Sequence, residues 1–204
     1  MVTLERYSTD PSYHHIEYEE EYFTKTGYEG YQDYEINTER VRKIIAIGNP
    51  KSVLDVGCAY GYIVKRLLDK GIEAIGMDVS HWCEKKAAEI IPRHFVRHDL
   101  RETPYPFEDK QFDLLYCEGT LEHIEDKYVD AVMAEFERVS HKRILALTFD
   151  WHVKVAPYSS NNPLAPGHVN LHDHNWWFNK MPDYTWLFLP ATGIQDAKAW
   201  LYKC

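Results

Sequence analysis

The sequence predicts an α/β chain built on a parallel sheet, and three observations point there. From residue 39 onward, short runs rich in apolar and β-branched residues alternate with stretches of helical periodicity, the pattern of successive βαβ units. The first such run leads straight into a glycine turn, Asp55-Val56-Gly57-Cys58-Ala59-Tyr60-Gly61. Acids stand at the ends of the first three runs (Asp55, Asp78 and Asp99), where open α/β sheets bind ligands.

Taken in order, Lys51 to Val56 is a continuous apolar run and the first strand. Ile63, Val64, Leu67 and Leu68 recur at helical spacing, and Gly71 stands where that helix would stop. Glu73 to Met77 reads as the second strand, Ser80 as the N-cap of a helix running to Ile91, and Pro92 as its terminator. His94 to His98 is the third strand. A connection containing Thr103, Pro104 and Pro106 leads to the fourth, Phe112 to Cys117. Tyr128, Val132, Met133, Phe136 and Val139 form the apolar stripe of an amphipathic helix, and Arg143 to Phe149 is the fifth strand. A Pro/Asn/His-rich loop, Trp151 to about Asp173, precedes a short aromatic helix from Asn175 to Lys180. Two strands, Thr185 to Leu189 and Ala197 to Tyr202, then flank a turn at Thr192 and Gly193.

Residues 1–38 differ in composition. They hold seven of the fifteen tyrosines, among them Tyr18, Tyr22, Tyr31 and Tyr34, interleaved with acids. Disordered segments are poor in aromatics, so this segment is expected to pack over the main domain (39–204) as a helical, aromatic lid; an arm that only packs, without ligand contact, is the alternative. At 204 residues the chain is the size of one domain, one that buries roughly 70% of its unfolded surface without disulfides.

Composition excludes several classes. With 23 Lys+Arg against 32 Asp+Glu the net charge is −9, which repels phosphate backbones and anionic lipid, so neither nucleic acid nor membrane is expected as a partner. Apolar runs fall well short of the roughly 20 residues that span a bilayer. Cys58, Cys83, Cys117 and Cys204 form no Cys-x-x-Cys pair, and MVTLERYSTD lacks the features of a secretory signal. A reduced, cytoplasmic protein is the expectation.

The glycine turn points to a bound ligand, because glycines let the backbone pass close beneath one while a helix N-terminus faces it. A dinucleotide fingerprint wants a further glycine five residues after Gly57, where this chain has Tyr62, so NAD is disfavoured. An acid about twenty residues beyond the turn, as Asp78 is, suits ribose hydroxyls, and Asp99 can receive an adenine amino group.

The sequence here resembles the class I S-adenosylmethionine-dependent methyltransferases. VLDVGCAYG matches their first motif with Ala59 in place of the middle glycine, GMDVS the second, HDL the adenine-contacting motif, and FDLLYCEGTLEHI the fourth. The resemblance covers about Lys51 to Phe149 and, more loosely, the closing strand pair. It implies a Rossmann-like, mostly parallel seven-stranded sheet with helices on both faces and an antiparallel last strand. The cofactor implied is S-adenosyl-L-methionine. Gly57, Ala59 and Gly61 would lie under its methionine part with Asp55 steadying the turn, Asp78 and Val79 at the ribose, Asp99 and Leu100 at the adenine, and Glu118 as the wall beside the methionine tail.

Methyl transfer to a hydroxyl also needs a base. His123, in Leu121-Glu122-His123-Ile124, follows strand four near the expected methyl position, although it could equally bond a neighbouring loop. His152 and His168 are the other candidates. Trp151, Asn170, His172 and Trp176 suggest an acceptor pocket of aromatic walls and polar anchors, or else a surface loop packed on its tryptophans. No metal is expected: His168, His172 and His174 lack an established ligand spacing, and Gly119 stands where some relatives carry a metal-binding Glu. Strand four ends in CEGT rather than the Asn/Asp-Pro-Pro-aromatic segment of enzymes that methylate a flipped base. The acceptor expected is therefore a small polar molecule, sugar-like or carried on a nucleotide, methylated at oxygen; the competing reading is a catalytically silent cofactor-binding scaffold.

Overall fold

The computed structural model describes residues 17–26, 30–148, 169–170, 172, 174–188 and 198–203. Its sheet is made of β1 (Ser52–Val56), β2 (Glu73–Asp78), β3 (Phe95–Arg97), β4 (Phe112–Glu118), β5 (Ser140–Thr148), β6 (Thr185–Phe188) and β7 (Lys198–Lys203). The order is β3-β2-β1-β4-β5-β7-β6. The five strands from β3 to β5 run parallel, with Leu54 of β1 level with Ile75 on one side and Leu115 on the other. β7 lies antiparallel between β5 and β6. The Rossmann-like α/β architecture is that read from the sequence.

Helices cover both faces: α1 (Ile36–Gly48), α2 (Tyr62–Leu68), α3 (His81–Ile90), α4 (Asp126–Val139) and α5 (His174–Lys180). Side chains alternate across a strand, and β1 and β4 divide accordingly. Val53, Leu114 and Tyr116 pack with Val41 and Ile44 of α1 and Val64 and Leu67 of α2. Leu54, Val56, Leu115 and Cys117 pack on the other face with Val132, Phe136 and Val139 of α4 and Trp177 of α5.

Three boundaries depart from the sequence reading. α1 was not foreseen and begins inside the segment read as lid; its buried positions Asn37, Val41, Ile44 and Gly48 keep helical spacing, and Asn49 closes it in the left-handed conformation at φ 41°. β5 starts three residues earlier, since Ser140 is already extended where α4 ends, and the basic His141 and Lys142 hide a strand in the sequence. β3 is shorter, as befits an edge. No helix among the described residues is long and apolar enough to cross a membrane.

The chain steps from β1 to β2 to β3 in one direction and then crosses back to β4 on the other side of β1. Such a reversal opens a crevice at the carboxyl ends of the strands, between β1 and β4.

Candidate functional site

The crevice is floored by the turn after β1. Gly57 and Gly61 have φ of +72° and +85°, the left-handed region that side chains oppose. A Cβ on Gly57 would stand 2.0 Å from Thr120 Oγ1, and one on Gly61 would stand 2.3 Å from Ile91 Cδ1. Gly57 thus lets the β4 loop close on the turn, while Gly61 lets α2 start against the third-strand side. Met77 O accepts the Gly57 and Cys58 N–H groups at 2.8 and 3.2 Å. Asp78 ties the next turn in: Oδ2 accepts from Ala59 N–H at 2.9 Å and Oδ1 from Ser80 N–H at 3.0 Å.

Above this floor lies a cavity of about 1120 Å³. Asp99 and Leu100 line it beyond β3, Asp78 and Val79 beyond β2, Asp55, Gly57 and Ala59 at β1, and Glu118 and His123 beyond β4. Gly61 is not on its wall and acts in packing. The Val79 N–H is a third backbone donor to the same carboxylate, and a carboxylate offers about four lone-pair sites, so Asp78 keeps some capacity for a further donor. Asp99 differs: Arg101, also on the wall, gives it four contacts through its backbone N–H, Nε and NH2. Burial alone would raise the Asp99 pKa, but Arg101 overcomes that and holds the carboxyl below its usual range. To receive an adenine amino group there, Arg101 must give way.

At the β4 end stands a partly buried ion pair absent from the sequence reading. Arg40 of α1 reaches across to Glu118, Nε to Oε2 at 2.6 Å and NH2 to Oε1 at 2.7 Å, and the Tyr116 hydroxyl donates to the same carboxylate. Burial works against the Arg40 charge, yet Glu118 outweighs it and holds the guanidinium pKa above its ordinary value. Asp55, 4% exposed, lies close to this pair. Burial, then the Glu118 and Asp78 charges, push its pKa up to about 8, with Arg40 opposing. The ordinary aspartate value is about 3.9, so across the interval to about 8 the folded protein holds a proton that the unfolded chain has released. The stabilisation tied to that proton is complete below about pH 4 and is lost as pH rises to about 8. Urea midpoints of the ligand-free wild type should therefore fall with rising pH more steeply than those of Asp55→Asn; parallel profiles would contradict this.

The segment from Glu17 to Thr26 crosses the opening. Tyr18 and His123 share a hydrogen bond, Oη to Nδ1 at 3.0 Å, with their rings edge to face. Tyr22 and Phe23 are buried against Tyr31 and Tyr60.

The structure does not bring the rest of the predicted acceptor group to the cavity. His172 stacks on Trp176 at 4.0 Å and pairs with Asp126 at 2.8 Å. Asn170 is fully buried and held by its N–H to Glu122 O at 3.0 Å. His172 and Trp176 thus hold α5 against the body of the domain, and none of Asn170, His172 and Trp176 lines the cavity. Trp151, His152 and His168 lie outside the described residues. No cluster able to hold a metal occurs among the described residues. Sequence reasoning missed Arg40 and Arg101; Arg40 sits within the Asn37, Val41, Ile44 stripe of α1, the one signal that it faces inward.

A family model described as "Methyltransferase domain" matches residues 53–143. An uncharacterized methyltransferase of Geobacillus thermodenitrificans is 27% identical over 113 residues, 55% of this chain and 53% of that protein. The chain thus spans about half the length of the curated relatives it matches. Among solved structures, the PH0226 protein of Pyrococcus horikoshii OT3 superposes with a TM-score of 0.68 at 20% identity, over 90% of this chain and 97% of that one. Magnesium protoporphyrin IX methyltransferase from Synechocystis PCC 6803, solved with bound SAM, gives 0.59 at 17%, over 89% and 92%. At these identities the structural likeness is one of fold.

Proposed function

We propose that this chain, whose residues 53–143 match a methyltransferase-domain family model, is a class I S-adenosylmethionine-dependent methyltransferase whose cavity holds S-adenosylmethionine and directs methyl transfer to a small polar acceptor. The observation that carries this reading is that one cavity gathers Asp99, Asp78, Asp55 and Glu118 from four neighbouring strands. The donor set fits the cofactor. Asp78 lines the cavity as an acceptor for a ribose hydroxyl, Val79 (39% exposed) and Leu100 offer apolar contact to a purine, and Arg40 beside Glu118 matches the carboxylate and ammonium of an amino acid. The volume exceeds the roughly 300–1,000 Å³ of a typical single-ligand pocket, leaving space for an acceptor.

The cofactor supplies an electrophilic methyl on a sulfonium, whose charge disperses as an incoming nucleophile takes it. The protein's part is chiefly alignment, worth up to roughly 7–11 kcal/mol. The arm residues Tyr18 and Tyr22 lie over the cavity and shield part of it from water, which is the sense in which the N-terminal segment is a lid. His123, held by Tyr18, is placed to take the proton of an acceptor hydroxyl, worth about 10²- to 10⁴-fold. The buried free thiols Cys58, Cys83 and Cys117 suit a reducing compartment such as the cytoplasm.

Calorimetry with S-adenosylhomocysteine tests the reading. Asp78→Ala should weaken binding by about 1–3 kcal/mol, roughly 5- to 150-fold. Equal affinity of wild type and variant would place the ribose elsewhere.

A further inference from the structure

The first turn of α3 is capped by two different parts of the chain. A helix leaves its first four N–H groups without intrahelical partners. Here Ser80 N–H goes to Asp78 Oδ1 (3.0 Å) and Cys83 N–H to Ser80 Oγ (3.0 Å), both local. The two between them go to one carboxylate 62 and 63 residues away: His81 N–H to Glu19 Oε1 at 2.8 Å and Trp82 N–H to Glu19 Oε2 at 2.9 Å. An anion at the positive end of a helix, accepting two charge-assisted hydrogen bonds, is a strong contact for a half-buried side chain. It sits on the same turn as Asp78.

From that contact the arm extends across the cavity. Tyr18 reaches His123 at the β4 side, Phe23 packs on Tyr60, and the Tyr60 hydroxyl accepts from the Trp82 indole at 2.9 Å. Glu17, Tyr18, Glu19, Tyr22 and Phe23 all line the cavity. The arm is thus fastened at the ribose end by Glu19 and at the β4 end by Tyr18, with the space between them roofed. A ligand filling that space lies beneath the arm while both ends are held. Of the two, the Glu19 contact is the stronger, two charge-assisted hydrogen bonds against one neutral bond, so its release is the step that limits opening.

We propose that Glu19 is the latch of a lid, a positioning residue whose release from the α3 N-terminus opens the cavity and sets the rate of cofactor exchange. This rests on the cavity holding the S-adenosyl cofactor. Closure and occupancy are then reciprocally coupled: bound cofactor favours the docked arm, and the docked arm retains the cofactor.

The test is stopped-flow release of S-adenosylhomocysteine, with amide hydrogen exchange read at His81 and Trp82. Glu19→Ala should speed release by about tenfold or more and strip protection from those two amides, on the scale expected for losing two charge-assisted hydrogen bonds. Glu19→Gln, which keeps one good acceptor oxygen, should fall between. Glu20→Gln removes the same charge one residue along and should leave release unchanged. Wild-type binding with release unaltered in both Glu19 variants overturns the latch alone, as does retained protection of His81 and Trp82 in Glu19→Ala. A wild type that binds no S-adenosylhomocysteine overturns the functional reading and the latch with it.

Discussion

Arg40→Ala is expected to destabilise the ligand-free protein by several kcal/mol, approaching the cost, about 3–5 kcal/mol, of removing one partner from a fully buried ion pair. The side chains of Arg40 and Glu118 are only 23% and 10% exposed, so solvent screens the pair little. Without the guanidinium, the Glu118 carboxylate keeps the Tyr116 hydroxyl as a partner but faces the buried Asp55 with no positive charge between them. Arg40→Lys restores charge but not the two-pronged contact, and should recover only part of the loss. Urea unfolding of the three proteins measures this directly. A loss below about 1 kcal/mol for Arg40→Ala would mean that the pair behaves as an exposed one. If Arg40 also receives the methionine carboxylate, the variant should bind S-adenosylhomocysteine more weakly than its lost stability alone explains.

The second large effect is expected at Gly57→Ala. Holding alanine at φ +72° costs about 1–2 kcal/mol. The new methyl group, 2.0 Å from Thr120 Oγ1, adds overpacking of about 1–3 kcal/mol. Thr120 bonds Val56 O and Glu118 O, both at 3.3 Å, so its displacement moves the β4 loop that bears Glu118. The two contributions separate in a double-mutant cycle: adding Thr120→Ala removes the Oγ1 and Cγ2 contacts and should relieve most of the packing part, with Cβ at 2.9 Å remaining, and leave the backbone part. Thermal unfolding gives the stability, and a double variant no better than Gly57→Ala would show that Thr120 is not the obstacle.

How far the sequence reveals this molecule depends on whether a feature is local. The strand–turn–helix units carry their own signals, so β1, β2 and α3 with its Ser80 cap are readable in order, and the glycine turn with Asp78 twenty-one residues beyond Gly57 marks the crevice. Partnerships between distant segments leave no such mark. Nothing in a helical stripe announces that Arg40 will meet a glutamate 78 residues later, nor does a run of tyrosines and acids single out Glu19 as the cap of α3. His172 and Trp176 show the converse case. Histidine and tryptophan a few residues apart suit a ring-binding pocket and a helix edge equally well, and here they stack on each other. Asp99 is legible as an acid at a strand end, whereas its saturation by Arg101 depends on a side-chain conformation that the residue order leaves open.

The most direct trial of the whole account is a crystal structure grown with S-adenosylhomocysteine. The prediction is a nucleoside lying over β2 and β3, a ribose hydroxyl within hydrogen-bond distance of Asp78, the amino-acid end against Arg40 and Glu118, and its sulfur on the side facing His123. A molecule bound away from Asp78, or none in a crevice filled by the protein's own side chains, would contradict it.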